Sequence, residues 1–296
     1  MVRIFKPFKA PKKSFTYPTN FKEHITLFTW FVVERHNIDC IRLSNEKYIP
    51  EDPLLPLCIS PYRLYDSATA ALRDRLEGFH DTVGRALYWR IGVFRMFGRI
   101  ETFDALQEVL ENWNEEDAKT ILKERQLSKL PVFASSTHFS RNAKNRSAIE
   151  VGCENLSRLN VQSSESFAFI RRLKSLEDGA RFLTAKYPGI KKGVAYDIVC
   201  DLYQLTNFYK PKDIYTWANI NNSVKKSLNR IFSSTHNNKD SERGFVPADY
   251  QKEMLEILKI HLPRNAPMFS FMPKMDLNTV QRSLIGFEKY CAGLFK

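Results

Sequence analysis

Cysteine is sparse and unpaired in this chain: Cys40, Cys58, Cys153, Cys200 and Cys291 are scattered, and no two form a Cys-x-x-Cys pair. An odd, dispersed set excludes a disulfide framework or a zinc ribbon and fits a reducing cytosol. Glycine is scarce at 11 residues, alternating apolar and polar runs are few, and 3.6-residue periodicity is frequent. That balance predicts an all-α protein. No apolar run reaches the roughly 18 residues that a membrane-spanning helix needs, and the N-terminus has no apolar signal core. Neither a membrane partner nor export is expected. Also missing are a Gly-x-x-x-x-Gly-Lys-Ser/Thr phosphate loop, a His-Glu-x-x-His or paired-cysteine metal motif, and a Gly-x-Ser-x-Gly elbow. Their absence sets aside P-loop kinases, zinc enzymes of those types and serine hydrolases. Acidic residues are in deficit, 33 against 45 Lys and Arg, for a net charge of +12. The excess predicts a polyanionic partner, nucleic acid before membrane, against the alternative of a basic protein with no such role.

What the chain does have is apolar mass, 43% hydrophobic residues, enough to bury a core rather than stay disordered. Residues 1–20 read as a basic arm, with Arg3, Lys6, Lys9, Lys12 and Lys13 interleaved with Phe5, Phe8 and Phe15. Such an arm either tracks phosphates or is a solvated terminus. Residues 21–296 read as a single helical domain, with two lobes near 21–150 and 151–296 as a variant. Helices are expected over 21–43, 61–77, 81–98, 103–113 (capped by Thr102), 114–122 (capped by Asn114), 164–183, 194–205, 247–260 and 276–292. Residues 135–146 and 233–246 read as loops. Tyr187-Pro188-Gly189-Ile190-Lys191-Lys192 interrupts two helical segments and outlines a helix-hairpin-helix, whose turn can present backbone N–H groups to a phosphate.

The stretch Tyr88 to Phe103 is apolar around the whole helical circumference, the pattern of a buried segment. It nevertheless carries Arg90, Arg95 and Arg99, with Arg85 just before. Buried arginines need carboxylates, a phosphate-rich ligand or water in a cleft, so this block points to anion handling. Glu34 lies within about 40° of Leu27, Trp30, Ile38 and Ile41 on its helix. A carboxylate there requires a cation, either as a structural pair or as part of a substrate site. Arg63 and Asp66, three apart, form either a helical salt bridge or part of the same site. On the last helix Leu277, Val280, Leu284, Phe287 and Cys291 share a stripe and Asp276 is placed as its N-cap. Gln281 and Glu288 flank that stripe, facing a cleft or forming a solvated edge.

Several blocks, in order, resemble one family. They are Trp30-Phe31-Val32-Val33-Glu34-Arg35-His36, Asp52-Pro53-Leu54-Leu55, Pro61-Tyr62-Arg63-Leu64-Tyr65-Asp66, and Phe94-Arg95-Met96-Phe97-Gly98-Arg99-Ile100-Glu101-Thr102-Phe103. The hairpin Pro188-Gly189-Ile190 with Ala195-Tyr196-Asp197-Ile198 and Asp201-Leu202-Tyr203 follows, and then Asp276-Leu277-Asn278-Thr279-Val280-Gln281 with Phe287-Glu288-Lys289-Tyr290. Together, over roughly 21–292, they resemble the alpha-glutamyl/putrescinyl thymine pyrophosphorylases, grouped with the helical domain found with 5-hydroxymethyluracil DNA kinases and including phage amino acid:DNA transferases. Departures from the family pattern fall at Ser60, Ser67, Lys191 and Asp197, and Ala218 to Ser223 stands where a glycine-rich element is expected.

The resemblance implies a helix-hairpin-helix, DNA-glycosylase-like fold and a role in thymine hypermodification in the cytoplasm of a phage-infected host. In that chemistry an upstream DNA kinase leaves a pyrophosphorylated 5-hydroxymethyluracil in double-stranded DNA. A family member then replaces the pyrophosphate with an amino acid or polyamine. The target thymine derivative would be flipped from the duplex. Arg35, Arg63, Arg95 and Arg99 are the expected pyrophosphate ligands, because guanidinium forks match phosphate oxygens. Glu34, Asp66 or Glu288 is expected to orient or deprotonate the amine. Lys186, Gly189, Lys191, Lys192, Lys225, Lys226 and Arg230 are expected to hold the DNA backbone. No metal ligand set is expected, and whether Mg2+ bridges the pyrophosphate stays open. The competing readings are a glycosylase acting on a modified base and a non-catalytic DNA-binding subunit.

Overall fold

In the computed structural model, residues 21–43, 52, 54–77, 84–134, 147–232, 247–262 and 275–294 are described, and among them the regular elements are helices with no strand. In chain order they are α1 (Phe21–Leu43), α2 (Ser67–Leu76), α3 (Arg85–Phe97), α4 (Ile100–Ala105), α5 (Gln107–Leu110) and α6 (Glu115–Leu127). After these come α7 (Ala148–Val161), α8 (Ser163–Leu173), α9 (Leu176–Lys186), α10 (Lys192–Leu205), α11 (Asn222–Phe232), α12 (Pro247–Glu256) and α13 (Leu277–Leu294). Short 3-10 turns cover Leu55–Leu57 and Arg63–Tyr65, and α12 runs on as a π-helical turn, Ile257–His261. The basic arm and the expected loops 135–146 and 233–246 lie outside the described residues.

The caps explain the sharp starts. Asn114 accepts from the Glu116 and Asp117 amides at the head of α6, and Asp276 accepts from the Thr279 amide at 2.8 Å at the head of α13, both as expected. Ser147 and Glu150 form a reciprocal capping box on α7, a signature that marks a helix the periodicity missed. Three expected helices are broken. Gly98, at φ 68°, ends α3 in the left-handed conformation open to glycine, where the first of two successive expected helices, 81–98, stops, whereas the second, expected over 103–113, begins early at Ile100 and divides at Leu106 into α4 and α5. Thr102 sits inside the second, buried, with its hydroxyl bonded to the Val132 carbonyl at 2.8 Å rather than capping. Lys174, at φ 50°, splits 164–183 into α8 and α9, with Ser175 capping the latter. Extended backbone at Tyr62 and Asp66 leaves only a 3-10 turn before α2.

The chain divides into two compact units. One joins Met1–Asp66 to Ile214–Lys296, and the other is the continuous segment Ser67–Asp213. In the first, α1 packs on α11 and α13. From Phe28 to Ile41 every residue of α1 is buried. Phe28 and Phe31 meet Phe287 with ring centroids 5.3 and 5.7 Å apart, and Tyr290 bonds Asp52 at 2.8 Å. The predicted stripe Leu277, Val280, Leu284, Phe287 and Cys291 is fully buried. In the second unit α3 is central, packed by α4, α7, α8 and α10, while α9 and α10 form a hairpin against each other. Burial of Tyr88 to Phe94 and of Met96 and Phe97 there matches the sequence expectation.

Candidate functional site

The first unit holds a chain of polar side chains that its apolar helices carry inward. Arg35 is fully buried and donates to the Asp39 carboxylate and to the Leu55 carbonyl, both at 3.2 Å. Ser60 donates to the other Asp39 oxygen at 2.6 Å and accepts from the Tyr62 amide at 3.0 Å. Arg282 donates from Nε to the Ser60 carbonyl at 3.1 Å and pairs with Asp66 at 3.0 Å. The residues come from α1, the segment that flanks the second 3-10 turn and α13, and they run from a buried end at Arg35 to a partly open end at Asp66. There the side chains of Arg282 and Asp66 are 10% and 18% exposed. Glu34 and Arg63 are buried in the same unit.

Burial disfavours both charged forms in this chain. It pushes Arg35 down and Asp39 up, and the attraction between the two opposes each shift. One turn along α1, His36 Nδ1 lies 3.2 Å from the Tyr62 hydroxyl and Nε2 lies 3.4 Å from Cys40 Sγ. Burial pushes that imidazole down to about 4 and the Cys40 thiol up to about 11, so both are neutral near pH 7. Cys40 therefore has none of the electropositive setting that activates a thiolate.

Other expected site residues are engaged elsewhere. Glu288 meets Arg230 at 3.6 Å within the first unit, and Gln281 donates to the Asn219 carbonyl. That carbonyl comes from the segment standing where a glycine-rich element was expected. Arg95 and Arg99 belong to the second unit, and Arg35 and Arg63 to the first. Arg95 grips the fully buried Asp201 of α10 through Nε and, at 3.0 Å, through Nη2, and also bonds Thr69 at 2.7 Å. Arg99 pairs with Glu101 at 3.4 Å. Arg90 bonds Gln107 at 2.8 Å, and Arg85 bonds Ser163 at 2.9 Å. Of these four arginines Arg90 is buried, Arg95 and Arg99 are half-buried and Arg85 is exposed, and each meets a protein partner.

The hairpin turn joins α9 to α10 through Tyr187–Lys191, closed by the Ile190 amide on the Tyr187 carbonyl at 2.8 Å. Tyr187 and Ile190 anchor it in the core, and Gly189 lies so close to Asn155 that a Cβ would overlap that side chain. Lys191 and Lys192 are exposed at the head of α10, while Lys186 pairs with Glu165 at 3.0 Å. On α11 Lys226 is exposed, and Lys225 lies 5.7 Å from the Tyr250 ring. Among the described residues no three His, Cys, Asp or Glu side chains are arranged to hold a metal ion.

A family model described as the 5-hmdU DNA kinase, helical domain, matches residues 22–294. The chain belongs to that family. No curated protein and no solved structure matches it. Membership in the 5-hmdU DNA kinase helical-domain family links the chain to hydroxymethyluracil modification in DNA.

Three residues of the buried chain, Asp39, Ser60 and Arg282, were not singled out as site residues from sequence. Asp39 sits on the same apolar helix as Glu34, and the rule that a buried carboxylate needs a cation applies to it equally. Arg282 neighbours Gln281, which the stripe argument did reach. Ser60 was marked only as a departure from the family pattern, and its bond to Asp39 gives that departure a structural role. Asp201 lies among Ile198, Val199, Cys200 and Leu202, all buried, so its environment carried the same signal.

Proposed function

We propose that this protein transfers an amine, an amino acid or a polyamine, onto pyrophosphorylated 5-hydroxymethyluracil in duplex DNA and releases pyrophosphate. The observation that carries the reading is the family match over 22–294, in a chain without a phosphate-binding loop of its own. The ionic chain of the first unit supports it. The amine nitrogen must be neutral to attack the 5-methylene carbon. Its lone pair forms the new C–N bond while the C–O bond to pyrophosphate breaks and the electron pair leaves with the pyrophosphate. The proton shed by nitrogen needs a carboxylate, and Asp66, at the open end of the chain, suits that better than the buried Glu34. Arg63 and Arg282, in the same unit, suit the charge that develops on the leaving group. Arg35, fully covered, serves as a positioning residue that holds Asp39. Lys191 and Lys192 at the hairpin, a helix-hairpin-helix in this reading, and Lys225 and Lys226 on α11 take backbone phosphates. A Mg2+ would draw its ligands largely from pyrophosphate oxygens.

The test incubates the protein with duplex DNA containing pyrophosphorylated 5-hydroxymethyluracil and a pool of amino acids and polyamines, then reads digested nucleosides by mass spectrometry. An aminomethyl-uridine adduct with pyrophosphate released is expected, and Asp66→Asn is expected to lose the adduct while keeping DNA affinity. Loss of the base without an adduct would support a glycosylase instead. An unchanged nucleoside despite DNA binding would support a non-catalytic subunit.

A further inference from the structure

Phe169 on α8 and Phe182 on α9 form a ring pair with centroids 4.5 Å apart and planes at 31°. The pair is not core: Phe169 is 44% exposed, one of the large apolar side chains left open to solvent. Lys186 Nζ lies 5.5 Å from the Phe182 ring and is shared with the exposed carboxylate of Glu165 at 3.0 Å, a surface pair that a phosphate can replace, and Arg172, one helical turn from Phe169, is exposed. From Ser163 to Lys192, the stretch that makes α8, α9 and the hairpin, the sequence has seven Lys and Arg against three Asp and Glu. Exposed aromatic faces bordered by cations are what single-stranded or unpaired nucleotides bind, since any base can stack while the cations take phosphates. A protein partner for an apolar patch would not call for this charge excess.

The geometry points to the Phe169–Phe182 pair as a stacking platform for an unpaired nucleobase, with Lys186 and Arg172 on the adjoining phosphates. Its ligand is a nucleic acid with a base outside the stack, a gap, bulge or single strand, rather than a fully paired duplex. This rests on the DNA-acting reading only for its choice of ligand. It concerns binding and needs no turnover, so a failed transfer assay leaves it standing.

Fluorescence anisotropy of the full chain with three labelled DNAs of matched sequence tests it: single-stranded, duplex with one bulged nucleotide, and fully paired. Phe169→Leu with Phe182→Leu keeps apolar bulk and removes the ring faces. Affinity for the bulged and single-stranded DNAs is expected to fall about tenfold, the order of one lost stacking contact, with little change for the paired duplex. The salt dependence of binding should stay as in the parent, whereas Lys186→Ala should make it shallower. Phe169→Trp should keep or strengthen the bulge preference. Equal affinities of parent and double variant for all three DNAs, with helicity and melting temperature preserved, would overturn the proposal. So would a parent that self-associates through this face, seen as a dimer by light scattering that the double variant loses.

Discussion

Arg95 and Asp201 illustrate what a buried charge demands of its neighbours. Asp201 has no exposure, and Arg95 presents a two-pronged fork to it with Thr69 on the remaining side. Removing one partner leaves the other charge uncompensated, which typically costs about 3–5 kcal/mol. Asp201→Ala is therefore expected to lower stability by that order in urea denaturation. Asp201→Leu combined with Arg95→Met should be much milder than Asp201→Ala alone, because no lone charge remains. His36 makes the complementary case with a neutral group. Burial holds its folded value near 4 against 6.5 for the free side chain. Between those values the unfolded chain binds the extra proton, so stability falls as pH drops from about 6.5 towards 4, by up to roughly 3 kcal/mol. Asp39 and Asp276, pushed up by burial, titrate in the opposite sense. The informative measurement is thus the difference between the parent and His36→Gln across that window, expected to narrow as pH falls. A constant difference would mean that the imidazole is protonated in the folded chain.

Among the elements, the α9–α10 hairpin ties a short turn to a distant helix. Gly189 faces the buried Asn155 of α7, whose amide is itself held by the Val151 carbonyl at 2.8 Å. Gly189→Ala drives a Cβ into that side chain. Overpacking of this kind costs about 1–3 kcal/mol, and Asn155→Gly in the same chain should recover much of the loss in a thermal melt. If the double variant is no more stable than Gly189→Ala, the glycine answers to backbone conformation instead. The same element shows where local rules succeed. Periodicity and the Pro-Gly turn located the turn and α10, which starts two residues earlier than expected, at Lys192, whereas α9 was expected only as the end of a longer helix over 164–183. The break at Lys174 was not legible, because a left-handed lysine has no residue-type signature. It follows from packing α8 and α9 separately against the core.

For the molecule as a whole, the division into units separates what a fragment can do. Residues 67–213 are continuous and own a buried core around α3, whereas α1 is surrounded by helices from beyond residue 213. A fragment of residues 67–213 is expected to be helical by circular dichroism and to melt cooperatively. Residues 1–66 alone are expected to stay unfolded, because α1 would expose apolar residues on every side. A disordered 67–213 fragment would show that this core is not self-sufficient.

Helical class, the caps at Asn114 and Asp276, the buried character of α3 and the stripe of α13 were all determined by residue order alone, because each depends on neighbours within about four positions along a helix. The link to hydroxymethyluracil modification was legible too, through short blocks kept in order. Tertiary structure alone decided which charges meet. Arg95 finds Asp201 across 106 residues of chain, Ser60 finds Asp39 across 21, and Arg282 reaches back across 222 to the Ser60 carbonyl. Such pairings are set by how apolar faces dock. A helix that is buried all round, as α1 is from Phe28 to Ile41, must be covered on every side, but its sequence carries no periodic mark of which partner covers which side.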